Sequence, residues 1–385
     1  MNAIDELLSR ARFGMQPGLE NIAAACSAFG HPELKLGKVI HVAGTNGKGQ
    51  VCAALDAALR AQGFSVARYT SPHLVKVNER FFFDGEPISD ADLDKYARKV
   101  LAGVDFSPRR MSNLSYFESL TLLAFLYYAD KRPDYTILET GLGGRLDATN
   151  VCSPILTLIT HVGLDHCEWL GDTVEKIREE KRGIKKPGVP HLEFDDFKFE
   201  GSFWNQNNQF ALMALKTLTT LKDPKIPNFV WPGRLQRINN FILDGAHNPP
   251  GATALVKALQ AQYPSQKFHV IYGACGDKDV DTVLSILKPI IASIEPAVSS
   301  NPRALSIDQL QAHFAKIGLP AGEPERSPGG RGRPVFRGGH PEGAPAGEPA
   351  TLICGSLFLI GDYLVKLGVY PWGSPRHDPN ERLKP

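Results

Sequence analysis

Lys38-Val-Ile-His-Val-Ala-Gly-Thr-Asn-Gly-Lys-Gly49 opens on a run dominated by apolar and β-branched residues and closes on a turn rich in glycine. Lys38 to Ala43 reads as a buried strand. Residues 51–62 (VCAALDAALRAQ) have helical periodicity. A strand, a glycine-rich turn and a helix start, in that order, are what a phosphate-binding loop needs. Glycines let backbone N–H groups turn toward an anion, the helix N-terminus adds its dipole, and Lys48 supplies a point charge. The spacing is not the ordinary G-x-x-x-x-G-K-[ST], because position 42 is valine and Gln50 stands where Ser or Thr is usual. A Gln amide oxygen can ligate a metal only if its longer arm folds back. The competing reading of the loop is a plain turn with an exposed lysine.

On either side the pattern continues. Ser65 to Tyr69, Tyr135 to Leu138 and Ile155 to Ile159 read as further strands, with helices near 89–104 and 116–130. Ser89 with Asp92 is a capping signal for the first of these helices. A second alternation begins near residue 225. Its strands are Phe241 to Leu243, Phe268 to Tyr272 and Thr351 to Cys354, and helices are predicted near 250–262, 279–293 and 356–366. Strand–helix alternation predicts parallel sheets with helices on their faces. The linker is placed in Leu221 to Pro232 (LKDPKIPNFVWP), which holds three prolines. Two α/β domains, 1–224 and 225–385, are expected, and 385 residues suffice for them. Residues 319–350, dominated by Gly, Pro, Arg and Glu, read as a mobile insertion that cannot bury enough apolar surface to fold.

Composition narrows the function classes. Lys+Arg 43 against Asp+Glu 41 leaves a net charge of +2, which argues against a polybasic nucleic-acid binder. No apolar run is long enough for a membrane helix, and MNAIDELLSRARFG is no secretory signal. Six scattered cysteines without a Cys-x-x-Cys read as free thiols. A soluble cytoplasmic protein, with no nucleic-acid or membrane partner, is expected.

Strand ends carry the remaining chemistry. Glu139 follows Leu138 and His166 lies beyond the next strand, so both should face the crevice of Lys48. A carboxylate and an imidazole there can hold a divalent ion beside phosphate, although each alone is more often a capped loop residue. Asp244 and His247 follow a strand of the second domain. An Asp there can accept bonds from ribose hydroxyls, or form an Asx turn before a helix. Lys181, within Glu179-Glu180-Lys181-Arg182, reads as a solvated helix lysine.

These motifs together resemble one family. His41 to Gly49, Thr70-Ser71-Pro72-His73-Leu74 with Asn78-Glu79-Arg80, Ser115 to Glu118, Glu139 to Asn150, Asp165-His166, Glu180-Lys181, Pro232-Gly233-Arg234 and Asp244 to Pro249 fall in the order found in the folylpolyglutamate synthase / dihydrofolate synthase group of the Mur ligase superfamily. The resemblance implies a P-loop parallel-sheet ATP-binding domain followed by a smaller Rossmann-like domain. It implies an ATP-dependent ligase that joins L-glutamate to dihydropteroate or to reduced folate through an acyl phosphate. By motif, Asn46, Gly47, Lys48, Gly49, Asn208, Arg234 and Asp244 would hold ATP. Ser71, Glu139 and His166 would hold Mg²⁺, and a carbamylated Lys181 would help to place a second Mg²⁺. Lys48, Lys181, His166 and Glu139 would be the catalytic set. Tyr116, Phe117, Glu118, Leu146, Asp147 and Ala148 would face the pterin, with Pro17 to Glu20 a looser match. His247 and Ser356 would accept glutamate, and Asp277-Lys278-Asp279 resembles a further signature. A monomer is implied. The chain departs from the family at Gln50, at Arg182 where alanine is usual, in the short span from Val189 to Asn208, and at 319–350, where a compact helical stretch is usual. A Mur-type ligase acting on another substrate, a non-catalytic nucleotide-binding descendant and a generic P-loop kinase are the alternatives.

Overall fold

The computed structural model describes residues 3–9, 18–106, 114–219, 221–229, 231–319, 351–370 and 372. The chain divides into two compact units, Met1–Val230 and Trp231–Pro385. The division falls inside the proline-rich stretch, a few residues past position 224. Pro17 and all of 319–350 except Leu319 lie outside the described residues; Leu319 is buried in the second unit's core.

In chain order the strands of the first unit are β1 (Lys38–Ala43), β2 (Val66–Tyr69), β3 (Phe81–Phe83), β4 (Glu86–Pro87), β5 (Tyr135–Glu139), β6 (Pro154–Ile159) and β7 (His191–Glu193). They form one sheet in the order β4-β3-β2-β5-β1-β6-β7. The five from β2 to β7 along this order run parallel, while β3 and β4 are antiparallel additions at one edge. The sheet is therefore mixed rather than purely parallel. β1 lies between β5 and β6, which is why its whole length beyond Lys38 is buried. Its side chains alternate between two cores. Ile40 and Val42 pack with the helices Lys48–Ala61 and Phe203–Lys216 through Val51, Leu55 and Phe210. Val39 joins the opposite face, with Leu138, Tyr69, Tyr128 and the helices Asp90–Phe106 and Tyr116–Lys131. Asp92 N–H donates to the Ser89 hydroxyl at 3.0 Å, so the helix cap expected there forms.

The second unit contains β8 (Gln236–Ile238), β9 (Phe241–Asp244), β10 (Phe268–Tyr272), β11 (Ile291–Pro296) and β12 (Thr351–Cys354), in the order β11-β10-β12-β9-β8. All pairings but β8–β9 are parallel. The helix expected over 279–293 is corrected. It ends at Leu287, passes through a short turn Lys288–Ile290 and becomes β11. Pro289 cannot continue a helical ladder, and the isoleucines after it suit a strand.

Candidate functional site

In the first unit the loop after β1 is shaped by its glycines. A Cβ on Gly44 would stand 1.8 Å from the Thr160 hydroxyl oxygen. Gly47 holds φ +91°, where L side chains are strained. The N–H groups of Thr45 and Asn46 donate to the His161 carbonyl at 2.9 and 3.2 Å, tying the loop to the segment after β6. Gly47 caps the following helix without a side-chain bond. A bare helix start beside a lysine is a ready anion site.

Lys48, Glu139 and Ser71 converge here from the ends of β1, β5 and β2. Lys48 Nζ donates to the carbonyls of Gly44 and Thr45 at 3.1 and 3.3 Å and lies 4.0 Å from Glu139 Oε1. Glu139, the last residue of β5, is buried and accepts the Ser71 N–H at 3.0 Å on its other oxygen. His166 sits past the end of β6 with φ +52°, its ring 3.9 Å from the Asp165 carboxylate. Carboxylate and hydroxyl oxygens suit a hard divalent cation, and an imidazole nitrogen is a borderline donor that can complete such a set. Among the described residues no group of three or more His, Cys, Asp or Glu is placed to hold a metal; the expected set has two of these types plus a hydroxyl.

Lys181 overturns its reading as a solvated lysine. It lies on the helix Val174–Arg182, four residues after Ile177, and these two form the buried side. It is 3% exposed, and its amine donates to the Gly44 carbonyl at 2.9 Å. Burial, with the charge of Lys48, lowers its pKa to about 7. Arg182 turns the other way, to Glu193 of β7 at 2.7 and 3.0 Å and to Glu179 at 2.7 Å. It therefore does not crowd Lys181.

The metal reading of Gln50 is also corrected. Both ends of its amide are engaged by the helix Phe203–Lys216, through the Trp204 carbonyl and the side chains of Asn207 and Asn208.

The loops that carry the other motifs, the one after β2 and those expected to face a pterin, are built from buried acids. Glu79 accepts the N–H groups of Leu74, Val75 and Lys76 and so folds the loop after β2. Arg80 donates to His73 Nδ1 at 3.0 Å and lies over the Tyr116 ring. Burial, with the charge of Arg80, drops the His73 pKa to about 3, so the ring is neutral with its proton on Nε2. Glu118 closes a capping box with Ser115. The Phe117 ring lies under Gly141, where a Cβ would approach it to 2.6 Å. Asp147 turns inward. Its carboxylate accepts from the N–H groups of Gly141, Leu142 and Thr149 and from the Thr149 hydroxyl. Ala148 is buried, whereas Leu146 is exposed. Sequence reasoning missed Thr149 and His41, whose Nε2 lies 2.8 Å from the Thr149 hydroxyl.

In the second unit the turn after β9 gathers its own set. Asp244 is buried and accepts the Leu235 and Ala246 N–H groups at 2.9 Å each. Burial raises its pKa, and Arg234 beside it opposes the rise. Arg234 packs over Gly245, where a Cβ would stand 2.7 Å from the guanidinium. His247 donates from Nδ1 to the Gly245 carbonyl. Ser356 caps the helix Leu357–Lys366, accepting the Phe358 N–H at 3.2 Å.

Residues 233–327 match the family described as Mur ligase, glutamate ligase domain. Over 362 residues the chain is 31% identical to the dihydrofolate synthase/folylpolyglutamate synthase of Bacillus subtilis (strain 168), covering 77% of this chain and 84% of that protein. The chain belongs to the dihydrofolate synthase/folylpolyglutamate synthase family. The Mycobacterium tuberculosis folylpolyglutamate synthase complexed with ADP and AMPPCP superposes with a TM-score of 0.81 at 26% identity, covering 96% of this chain and 98% of that one. A bifunctional folylpolyglutamate synthase/dihydrofolate synthase with Mn, AMPPNP and L-glutamate bound gives 0.80 at 26% identity, with 96% and 98% covered. As a member of the dihydrofolate synthase/folylpolyglutamate synthase family, the chain is an ATP-dependent ligase that adds glutamate.

Proposed function

We propose that this ligase joins L-glutamate to dihydropteroate, to the γ-carboxylate of a reduced folate, or to both. The observation that carries the reading is the meeting of Lys48, Glu139 and Ser71 beside the glycine loop. A carboxylate is a poor electrophile. Its oxygen must take the γ-phosphoryl group of ATP, releasing ADP. The glutamate amine then attacks the carbonyl carbon, the C–O bond to phosphate breaks, and the nitrogen loses a proton.

The loop residues Asn46, Gly47, Lys48 and Gly49 would hold the phosphates, with Asn208, Arg234 and Asp244 as further ATP contacts. Ser71, Glu139 and His166 would hold one Mg²⁺, and Lys181 as a carbamate a second. Such ions, when bound, offset the charge of the transferring phosphoryl group. Lys48 would add its own charge at the same place. Tyr116, Phe117, Glu118, Leu146, Asp147 and Ala148 form the proposed pterin region. Asp147 supports it by fixing the backbone at Gly141 and Leu142. His247 and Ser356 are the proposed glutamate acceptors.

Six free cysteines support a reducing compartment, the cytoplasm, and no described helix is long and apolar enough to cross a membrane. A monomer is the assembly we assign. Incubation with ATP, Mg²⁺, L-glutamate and each pterin acid in turn, read by mass spectrometry, is expected to give a new glutamyl amide with at least one acid. No amide with any of them overturns the reading.

A further inference from the structure

Gln50 lies on the first turn of the helix that the nucleotide loop opens, and only 5% of it is exposed. Its Nε2 donates to the Trp204 carbonyl at 2.8 Å and to Asn208 Oδ1 at 3.2 Å. Its Oε1 accepts from Asn207 Nδ2 at 2.8 Å. A backbone carbonyl can only accept, so the Trp204 oxygen fixes which end of the Gln50 amide is the NH₂. The other two amides follow from it. Asn207 must present its NH₂ to Gln50, and Asn208 must present its oxygen. The anchor is itself held, because the Trp204 ring stacks on Phe229 at 5.2 Å and 28°.

This fixed order has two consequences at the loop. Asn207 is wholly buried, and its Oδ1 has no hydrogen-bond partner. That oxygen lies 2.8 Å from the place a Gly47 Cβ would take, so it abuts the backbone of the nucleotide loop. Asn208 is half-buried and has its oxygen turned to Gln50. Its Nδ2 hydrogens are therefore the atoms it offers elsewhere.

We propose that Gln50 is a positioning residue for the nucleotide, acting through Asn208, whose amide donor it aims at an acceptor atom of ATP. The hydroxyl usual at this position is given up for a three-point amide clamp between two helices. The inference rests on the reading of Asn208 as an ATP contact.

The test is a mutant cycle on the full chain with ATP and Mg²⁺. ATP affinity is read by calorimetry, and KM and kcat by amide formation. Q50A and Q50M are each expected to raise the Kd and KM for ATP about tenfold, with kcat and the KM for glutamate unchanged. Q50M keeps the packing, and thermal melts establish that each variant is folded. N208A should weaken ATP by at least as much, and Q50A should add nothing in the N208A background. A merely structural Gln50 would instead give additive losses, which overturns the proposal. An unaltered affinity in N208A also overturns it, and so does a gain of activity in Q50S, which would favour a metal-binding hydroxyl. Failure of the wild-type chain to bind ATP would overturn both this inference and the proposed function. Binding with no amide product would overturn the function alone.

Discussion

The Lys181 amine donates to the Gly44 carbonyl across 2.9 Å, joining the helix Val174–Arg182 to the turn that follows β1. Among the described residues no carboxylate lies within ion-pair distance of it. A buried amine beside Lys48, with its pKa lowered to about 7, is neutral in a large fraction of molecules near neutral pH. Only the neutral amine can attack CO₂, forming an N–C bond and releasing a proton. We predict a carbamate signal in ¹³C NMR after equilibration with labelled bicarbonate, ATP analogue and Mg²⁺, lost in K181R. K181A should lower kcat by at least about 100-fold, with part restored by a small carboxylate such as formate. Full activity in carefully decarbonated buffer would sink the carbamate reading.

G47A probes the loop directly. Alanine at φ +91° is strained, and its Cβ would stand 2.8 Å from Asn207 Oδ1. The two costs together are about 1–3 kcal/mol, most of it local to the loop. The expected result is a rise of more than tenfold in the Kd for ATP with a small drop in Tm. Calorimetry and thermal melting separate the two. Unchanged nucleotide affinity would show that the loop backbone does not meet phosphate.

T149V tests how the turn after β5 is held. The Thr149 hydroxyl donates to Asp147 Oδ1 and stands 2.8 Å from His41 Nε2. Burial, with the charge of Lys186, takes the His41 pKa to about 3, so the ring is neutral and its Nε2–H donates to the hydroxyl oxygen. Valine keeps the shape and removes both bonds, leaving a buried imidazole N–H unpaired. The expected cost is about 1–3 kcal/mol in urea unfolding. A difference below about 0.5 kcal/mol would mean that the contact carries no stability.

Much of this is legible in the amino-acid sequence. β1, its glycine turn and the helix after it are local events, set by side-chain type and by where φ must be positive. The order of the motifs likewise located Lys48, Ser71 and Glu139, which do meet. Less legible were features that depend on what an element packs against. Lys181 looks solvated until the helix Val174–Arg182 is laid on the nucleotide loop; its i,i+4 partner Ile177 was the available hint. The antiparallel edge was missed although Phe81-Phe82-Phe83-Asp84-Gly85-Glu86 carries a hairpin signal. Asp84 and Gly85 have φ of +50° and +87°, the pattern of a two-residue turn. The inward turn of the Asp147 carboxylate is not legible either, because its four internal hydrogen bonds come from residues that only the folded turn gathers.

Glu193 ends β7, in the short span after Val189. This buried carboxylate of β7 accepts from Arg182 at 2.7 Å and His191 at 3.0 Å, with Arg178 at 3.3 Å and Lys185 at 3.5 Å. Burial alone would raise its pKa. The bonds from Arg182 and His191 win and hold it down to about 2, against an ordinary 4.5. A depressed acid contributes stability above its unfolded pKa and loses it as pH falls through the folded value. The contribution should thus be complete above about pH 5 and vanish between about pH 4.5 and 2. Its partners are partly exposed, which screens the pair and limits the effect to roughly 2 kcal/mol. E193Q should therefore unfold more easily at pH 7, and its stability should converge on that of the wild type as pH falls toward 2. Urea titrations at pH 7, 4.5 and 3 measure the gap. A gap that stays constant over that range would mean that packing around β7, not the charge of Glu193, holds this edge of the sheet.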